Sequence, residues 1–201
     1  MRSSIILQVV LILSSNITFC QIVVDLSSKP QVSYSDYEDL VREVKGIREE
    51  RLISLDQFIE FQKEKNTIIL DTRSEKNYKA IHIKGAINLP FTEFTTGNLR
   101  KLIPDINTRI LIYCNNNIQG DRIYFGSKTY NPEDEKKRKK YNKKSTFVPK
   151  STAVYNSKTI SLALNVPTYI NLYGYGYRNI YELNELVNIK NPKVKFKKKK
   201  K

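Results

Sequence analysis

Two short runs of β-branched residues set the terms for this chain. Thr67-Ile68-Ile69-Leu70-Asp71-Thr72-Arg73 and Arg109-Ile110-Leu111-Ile112-Tyr113-Cys114 are continuously apolar in their centres and end abruptly in polar residues. A strand buried on both faces of a parallel sheet needs that pattern, because both sets of its side chains meet a core. Parallel neighbours also demand crossover connections, which places helices on the faces of the sheet. In open sheets of this kind ligands bind beyond the carboxyl ends of the strands. Asp71 and Arg73 stand at one such end and Cys114 at another.

The rest of the chain supplies matching elements. Ser35-x-x-Glu38 is a capping-box pattern, and Tyr37, Leu40, Val41, Val44 and Ile47 follow at helical spacing, predicting an amphipathic helix over 36–50. Leu52-Ile53 reads as a first strand. Ser54-x-x-Gln57 is a second capping box, leading a helix with Leu55, Phe58, Ile59 and Phe61 on its apolar side. Residues 74–80 read as a helical turn or two. Residues 86–89 read as a short strand stopped by Pro90, which cannot donate to a ladder. Residues 91–103 read as a helix with Gly97 as its weak point, ended by Pro104. A further helix is expected from Asn165 as cap, with Pro167 in the first turn and Gly174 or Gly176 ending it. After it, Leu186 and Val187 suit a closing helix.

Charge is unevenly spread over the 201 residues. Of the formal +15, residues 121–150 carry +6 and the tail 190–201 carries +8, leaving +1 for everything else. A nearly neutral domain with two basic appendages argues against nucleic-acid binding by the fold as a whole, and no nucleic acid is expected as a partner. The tail is expected as a solvated appendage, with an acidic partner as the alternative.

Arg2, the apolar stretch Ile5 to Leu13 and the small polar Ser14 and Ser15 follow the order of a secretory signal peptide over residues 1–20. The apolar part falls short of the roughly 20 residues a membrane span needs. Thr18 and Cys20 suit the positions before a cleavage at Gln21. The alternatives are a lipid anchor on Cys20, which the bulky Phe19 disfavours, and an uncleaved first helix. The protein is therefore expected to be exported, to a periplasm or beyond the cell. Loss of Cys20 leaves Cys114 as the single cysteine, which is then inert, paired with another molecule or reactive. Its place at the sheet's carboxyl edge, followed by three asparagines, predicts an accessible thiol.

Asp71-x-Arg73 after a strand, the Glu75/Tyr78 pair, His82-Ile83-x-Gly85-Ala86-Ile87-Asn88-Leu89-Pro90 and a strand closing in Ile112-Tyr113-Cys114 together resemble a rhodanese-like domain. The likeness runs over roughly 51–183, with a large interruption after Cys114. It implies an α/β fold, a central parallel five-stranded sheet with helices on both faces. To this the chain adds the N-terminal linker and helix over 21–50, an insertion at about 118–160 within a domain of 51–189, and the lysine-rich tail from 190. Ile123–Phe125 and 160–164 are expected to pack near the site as an extra hairpin, with 131–150 as a solvated excursion.

The resemblance further implies a sulfurtransferase whose catalytic Cys114 carries a persulfide. A small sulfur donor such as thiosulfate or another persulfide supplies the sulfur, and a thiol or cyanide accepts it. Both thiolate and persulfide are anions, so backbone amides and a helix N-terminus are the groups to look for. Asn115, Asn116, Asn117 and Gly120 are candidates for a cradle, since Asn and Gly tolerate the curled backbone it requires. Arg122 is a candidate for attracting an anionic donor, or a plain surface arginine. Asp71 and Arg73 are expected to support the strand-end turns. His82, the single histidine, is expected to be structural. No cofactor or metal is expected, given one histidine and one remaining cysteine. The related cell-cycle dual-specificity phosphatases carry an arginine six residues after the cysteine. Gly120 stands there instead, removing the phosphate clamp. The alternative to a transferase is an inactive rhodanese-fold interaction module in the cell envelope. Oligomeric state is left open.

Overall fold

The computed structural model describes residues 32–131 and 160–199. The signal pattern of 1–20, almost all of the linker and most of the excursion expected at 131–150 lie outside them. In chain order the elements are α1 (Tyr34–Glu49), β1 (Leu52–Ile53), α2 (Leu55–Phe61), β2 (Thr67–Asp71), α3 (Glu75–Ala80), β3 (Ile81–Ile83), β4 (Ala86–Asn88) and α4 (Thr96–Leu102). They continue with β5 (Arg109–Tyr113), β6 (Ile118–Gln119), β7 (Thr129–Tyr130), β8 (Ile160–Ser161), α5 (Asn165–Gly174), β9 (Ile180–Leu183), β10 (Val187–Asn188) and β11 (Phe196–Lys198).

Five strands make one parallel sheet in the order β1-β9-β5-β2-β4. The two runs that open the sequence reading lie side by side at its centre, Ile69 facing Leu111 and Asp71 facing Tyr113. Successive side chains point to opposite faces, and the core divides accordingly. Leu70, Ile110 and Ile112 join Val44, Leu99, Tyr169 and Leu172 on the face covered by α1, α4 and α5. Ile69, Leu111 and Tyr113 join Phe58, Ile81, Phe125 and Val187 on the other. Each fully buried Leu or Ile contributes about 1.5–3 kcal/mol over an exposed one, so continuous apolar runs are favoured only where both faces are covered.

Several local expectations give way to packing. Helix α1 begins at Tyr34, so Ser35 lies inside it and is not its cap. The stretch expected as one helix over 91–103 breaks into a single 3-10 turn at Phe91–Glu93 and α4, because the Thr95 hydroxyl accepts the Asn98 amide at 3.1 Å and starts a new helix there. The closing helix at Leu186 and Val187 is absent. Val187 is β-branched and buried, and pairs as β10 with β6 in parallel, while Leu186 stays exposed. The lysine-rich tail is no appendage over its described part. Strand β11 pairs antiparallel with β3, and Phe196 meets the Phe125 ring edge-on at 6.3 Å. Of the two stretches expected as a hairpin, 160–164 supplies one arm as β8, while 123–125 forms no strand and its place is taken by β7. The antiparallel pair is β7 with β8, Ile123 is exposed and Phe125 is buried.

The strand-end turn after β2 is held by a buried ion pair. Arg73 Nη2 donates to Asp71 Oδ2 at 2.6 Å and Arg73 Nε to Oδ1 at 3.0 Å, with both residues almost fully buried. The Tyr113 hydroxyl donates to the same carboxylate at 2.5 Å and accepts the Ile83 amide at 3.2 Å. Burial works against the charged guanidinium, but the Asp71 carboxylate outweighs it and holds the Arg73 pKa above its ordinary value. Arg73 also donates to the carbonyls of Ile81 and Tyr124, and its guanidinium lies 4.0 Å from the centre of the Phe125 ring. One side chain thereby joins β2, β3 and the stretch after β6. Arg73→Met strands the Asp71 carboxylate in the interior and is expected to cost about 3–5 kcal/mol, read as a lowered urea midpoint. A loss under about 1 kcal/mol would show that the pair is not what holds this turn.

Candidate active site

Strand β5 delivers Cys114 in extended conformation (φ −142°), and a 3-10 turn, Asn115–Asn117, follows at once. The sulfur's surroundings come from two distant parts of the chain. The amides of Asn115 and Asn116 face it from the turn, and those of Leu164 and Asn165 face it from the start of α5. The Leu164 N–H donates to Sγ at 3.2 Å. Leu164 is the N-cap of α5 and offers no capping side chain. The first amides of a helix have no partner within it, and Ser, Thr, Asp or Asn usually supplies the oxygen. Here Cys114 Sγ stands in that place, at the positive end of the helix. Sequence alone suggested Asn165 as the cap. It is the first helical residue, and its side chain serves elsewhere.

The thiol is not accessible. Cys114 is 1% exposed, with the Leu164 amide of the returning chain against its sulfur. Burial pushes the thiol pKa up, and the amides of Leu164, Asn115, Asn116 and Asn165 pull it down without overcoming that rise. The three asparagines that suggested exposure are turned inward by hydrogen bonds. Asn117 Oδ1 accepts the Cys114 amide at 2.9 Å, and Asn117 Nδ2 donates to the Leu183 carbonyl at 2.7 Å. Asn115 Nδ2 donates to the Gly126 carbonyl at 2.9 Å, leaving its Oδ1 buried without a partner. Asn116 clasps β7 and β8 together. Its Nδ2 donates to Ser161 Oγ on β8 at 3.0 Å and to Thr129 Oγ1 on β7 at 3.3 Å, while its Oδ1 accepts the Lys128 amide at 2.7 Å.

The other candidates sort as follows. Gly120 is not part of the sulfur cradle. It sits at φ +97° beyond β6, exposed, and a Cβ there would meet Ile189 at 2.9 Å. Arg122 is exposed. It lines a cavity of about 1020 Å³ together with Asn115, Asn116, Gly120, Phe125 and Asn188, and Cys114 is not among the lining residues. Asp71 and Arg73 lie one strand over. Their turn is tied to α5 by the Thr72 and Thr168 hydroxyls, 3.1 Å apart. His82 is buried and stacked on Tyr78 at 3.9 Å. Its Nδ1 donates to the Tyr78 carbonyl at 2.6 Å, which fixes it as a structural group. Among the described residues no cluster of His, Cys, Asp and Glu could hold a metal ion.

Leu164, Asn165, Glu182 and Arg48 belong to the site and are missing from the sequence-based candidates. Asn165 Nδ2 donates to Asn117 Oδ1 at 2.9 Å and to Glu182 Oε1 at 3.1 Å. Arg48 makes a two-point contact with the Glu182 carboxylate. The available signal was a glutamate in the centre of the last apolar strand, a position that requires a buried partner.

A thiol held above its unfolded pKa stabilises the fold in full below that unfolded value, about 8.5. The stabilisation is lost as pH rises through the folded value. Urea stability of the protein is therefore expected to fall between pH 8 and 9.5 by more than that of Cys114→Ser, before the tyrosines ionise near 10. Parallel profiles for the two proteins would contradict the raised thiol.

Residues 54–130 match the model of the family described as rhodanese-like domain. Among solved structures the chain is similar to the BH2092 protein from Bacillus halodurans, at 21% identity and a TM-score of 0.30, over 45% of this chain. The match spans 64% of that protein's chain. No curated protein matches the sequence.

Proposed function

We propose, for a chain whose residues 54–130 form a rhodanese-like domain, that the protein is a sulfurtransferase carrying sulfane sulfur on Cys114. The observation that carries the reading is the sulfur at an uncapped helix start, faced by amides from both sides of the insertion. Such a nest serves an anion and has no use for an inert buried thiol. The Cys114 thiolate attacks the outer sulfur of thiosulfate. The S–S bond of the donor breaks and sulfite leaves with the electron pair, giving a Cys114 persulfide. An acceptor thiolate or cyanide then attacks the terminal sulfur and regenerates the Cys114 thiolate. Arg122, on the cavity wall it shares with Asn115 and Asn116, attracts the anionic donor.

Cys114 is 1% exposed, so the segment from β8 to Leu164 has to move for either step. Asn116 holds that segment through Ser161 Oγ, and holds the paired β7 side through Thr129 Oγ1 and the Lys128 amide. Asn116→Ala is expected to speed alkylation of Cys114 by iodoacetamide about tenfold at pH 8, equivalent to losing about 1.4 kcal/mol of closure. Peptide-resolved mass spectrometry reads it, and an unchanged rate would show that the clasp does not govern access.

The burial of the thiol and its raised pKa also favour a second reading, an inactive rhodanese-fold module in the cell envelope that binds a partner. The two part cleanly. Incubation with thiosulfate or a small persulfide is expected to add the mass of one sulfur atom to the protein and none to Cys114→Ser. Absence of any gain, also in the Asn116→Ala protein, favours the module. The signal pattern at residues 1–20 supports a place in a periplasm or outside the cell, with a lipid anchor at Cys20 as the alternative. Among the described residues no helix is long and apolar enough to cross a membrane. The lysines of the tail suit an acidic partner.

A further inference from the structure

Arg48 lies on α1, ahead of the sheet and of the matched family segment, yet its guanidinium reaches the interior. Nε and Nη2 donate to the two oxygens of the Glu182 carboxylate at 2.7 and 2.6 Å. Glu182 sits on β9, an inner strand between β1 and β5, and is 4% exposed. Its Oε1 also accepts from Asn165 Nδ2, the same nitrogen that donates to Asn117 Oδ1. Asn117 Oδ1 in turn accepts the Cys114 amide. The path from helix to cysteine is thus an unbroken series of hydrogen bonds among buried or half-buried side chains. With both contacts made by its Nδ2, Asn165 keeps its Oδ1 buried and unpartnered. An unpaired buried oxygen is unfavourable, so the two acceptors impose the orientation of that amide against its own hydrogen-bonding demand.

We propose that Arg48 is a positioning residue for the Cys114 sulfur. Through Glu182 it orients Asn165, whose backbone amide faces Sγ at the start of α5, and Asn117, which fixes the cysteine's own backbone. The inference rests on Cys114 being the functional atom, and it brings α1, an addition to the family segment, into the working unit. Charge enters as well as geometry. Glu182 is the carboxylate nearest the sulfur along this path, and Arg48 neutralises it. The groups facing Glu182 are Arg48 from α1 and Asn165 from α5, while Tyr169 on α5 feels Glu182, Arg48 and Arg51 together. Without Arg48 an unpaired negative charge would stand three hydrogen bonds from the Cys114 amide.

The test titrates the ultraviolet thiolate absorbance of the full chain, taken as the difference from the matching Cys114→Ser protein so that Cys20 and the tyrosines cancel. Arg48→Met is expected to raise the Cys114 midpoint by about one pH unit, leaving about tenfold less thiolate at any pH below it. Glu182→Gln, which keeps an oxygen for Asn165 and leaves Arg48 unneutralised, is expected to lower the midpoint. The double variant is expected to return close to the parent value, which a loss of packing alone would not do. A folded Arg48→Met protein with the parent midpoint overturns the proposal, as does a double variant that keeps the Arg48→Met value. Where Arg48→Met fails to fold, an unmoved midpoint in Glu182→Gln overturns it. Persulfide formation is read separately by mass. A protein that takes up no sulfur yet shows these shifts retains the positioning role and loses the transferase reading.

Discussion

A helix that starts inside a protein must find acceptors for its first amide hydrogens, and here that demand is met by sulfur. Helix α5 begins at the carboxyl edge of the sheet, where β5 ends. Its N-cap, Leu164, has an aliphatic side chain where a hydroxyl or carboxamide would ordinarily serve. Cys114 Sγ fills the gap. Sulfur is a weak acceptor as a thiol and a far better one as an anion. The arrangement is therefore under-satisfied in the resting protein and better satisfied once negative charge resides on the sulfur. That asymmetry links the architecture to the proposed chemistry, because each step of the transfer keeps an anion at this place.

The same demand explains how a long stretch of chain between β5 and α5 is tolerated beside the site. The two halves of the cradle are joined in space by β7 and β8 and by Asn116, so the inserted chain leaves and re-enters at neighbouring points. Lengthening a loop whose ends are already fixed adds only about 0.6 kcal/mol per doubling. The anchoring falls to the buried interior. Arg73, committed to Asp71, extends to the Tyr124 carbonyl and the Phe125 ring, and so pins the outgoing side of the insertion to the sheet. Asn116 secures the stem, and Leu164 the return. Two clamped ends, at Asn115–Asn116 and at Leu164–Asn165, thus approach the same atom.

What the sequence made legible follows from what its patterns report. Continuous apolar runs report burial on both faces, so the central strands and the parallel sheet could be read from β2 and β5. Ser54 with Gln57 reports a local hydrogen-bond exchange, and that capping box is present. The His82–Pro90 segment and the Asp71/Arg73 turn are likewise local. The misreadings share a cause: each depends on a partner far along the chain. Val187 fits a helix or a strand by itself, and only the edge of β6 decides. The lysines of the tail read as solvated until Phe196 is set against Phe125, some 70 residues away. Asn115–Asn117 read as an exposed polar loop because asparagine usually faces water. Their inward hydrogen bonds involve Gly126, Leu183 and Asn165, which sequence proximity does not reveal.

The sulfur thus sits between opposed influences. Burial disfavours the thiolate, and four amides favour it. Had the amides won outright, the thiolate would be present at all times and exposed to oxidation, which follows thiolate character and access. Had burial stood alone, ionisation would be closed off altogether. A balance on the protonated side, with the covering segment held by a handful of hydrogen bonds at Asn116, means that opening the stem shifts the site in two ways at once. Water and a donor gain entry, and the desolvation that raises the thiol is relieved while the Asn115 and Asn116 amides stay in place on their own side of the cleft. In the proposed transfer, access and ionisation are coupled, because the motion that exposes the thiol also relieves the burial that keeps it protonated.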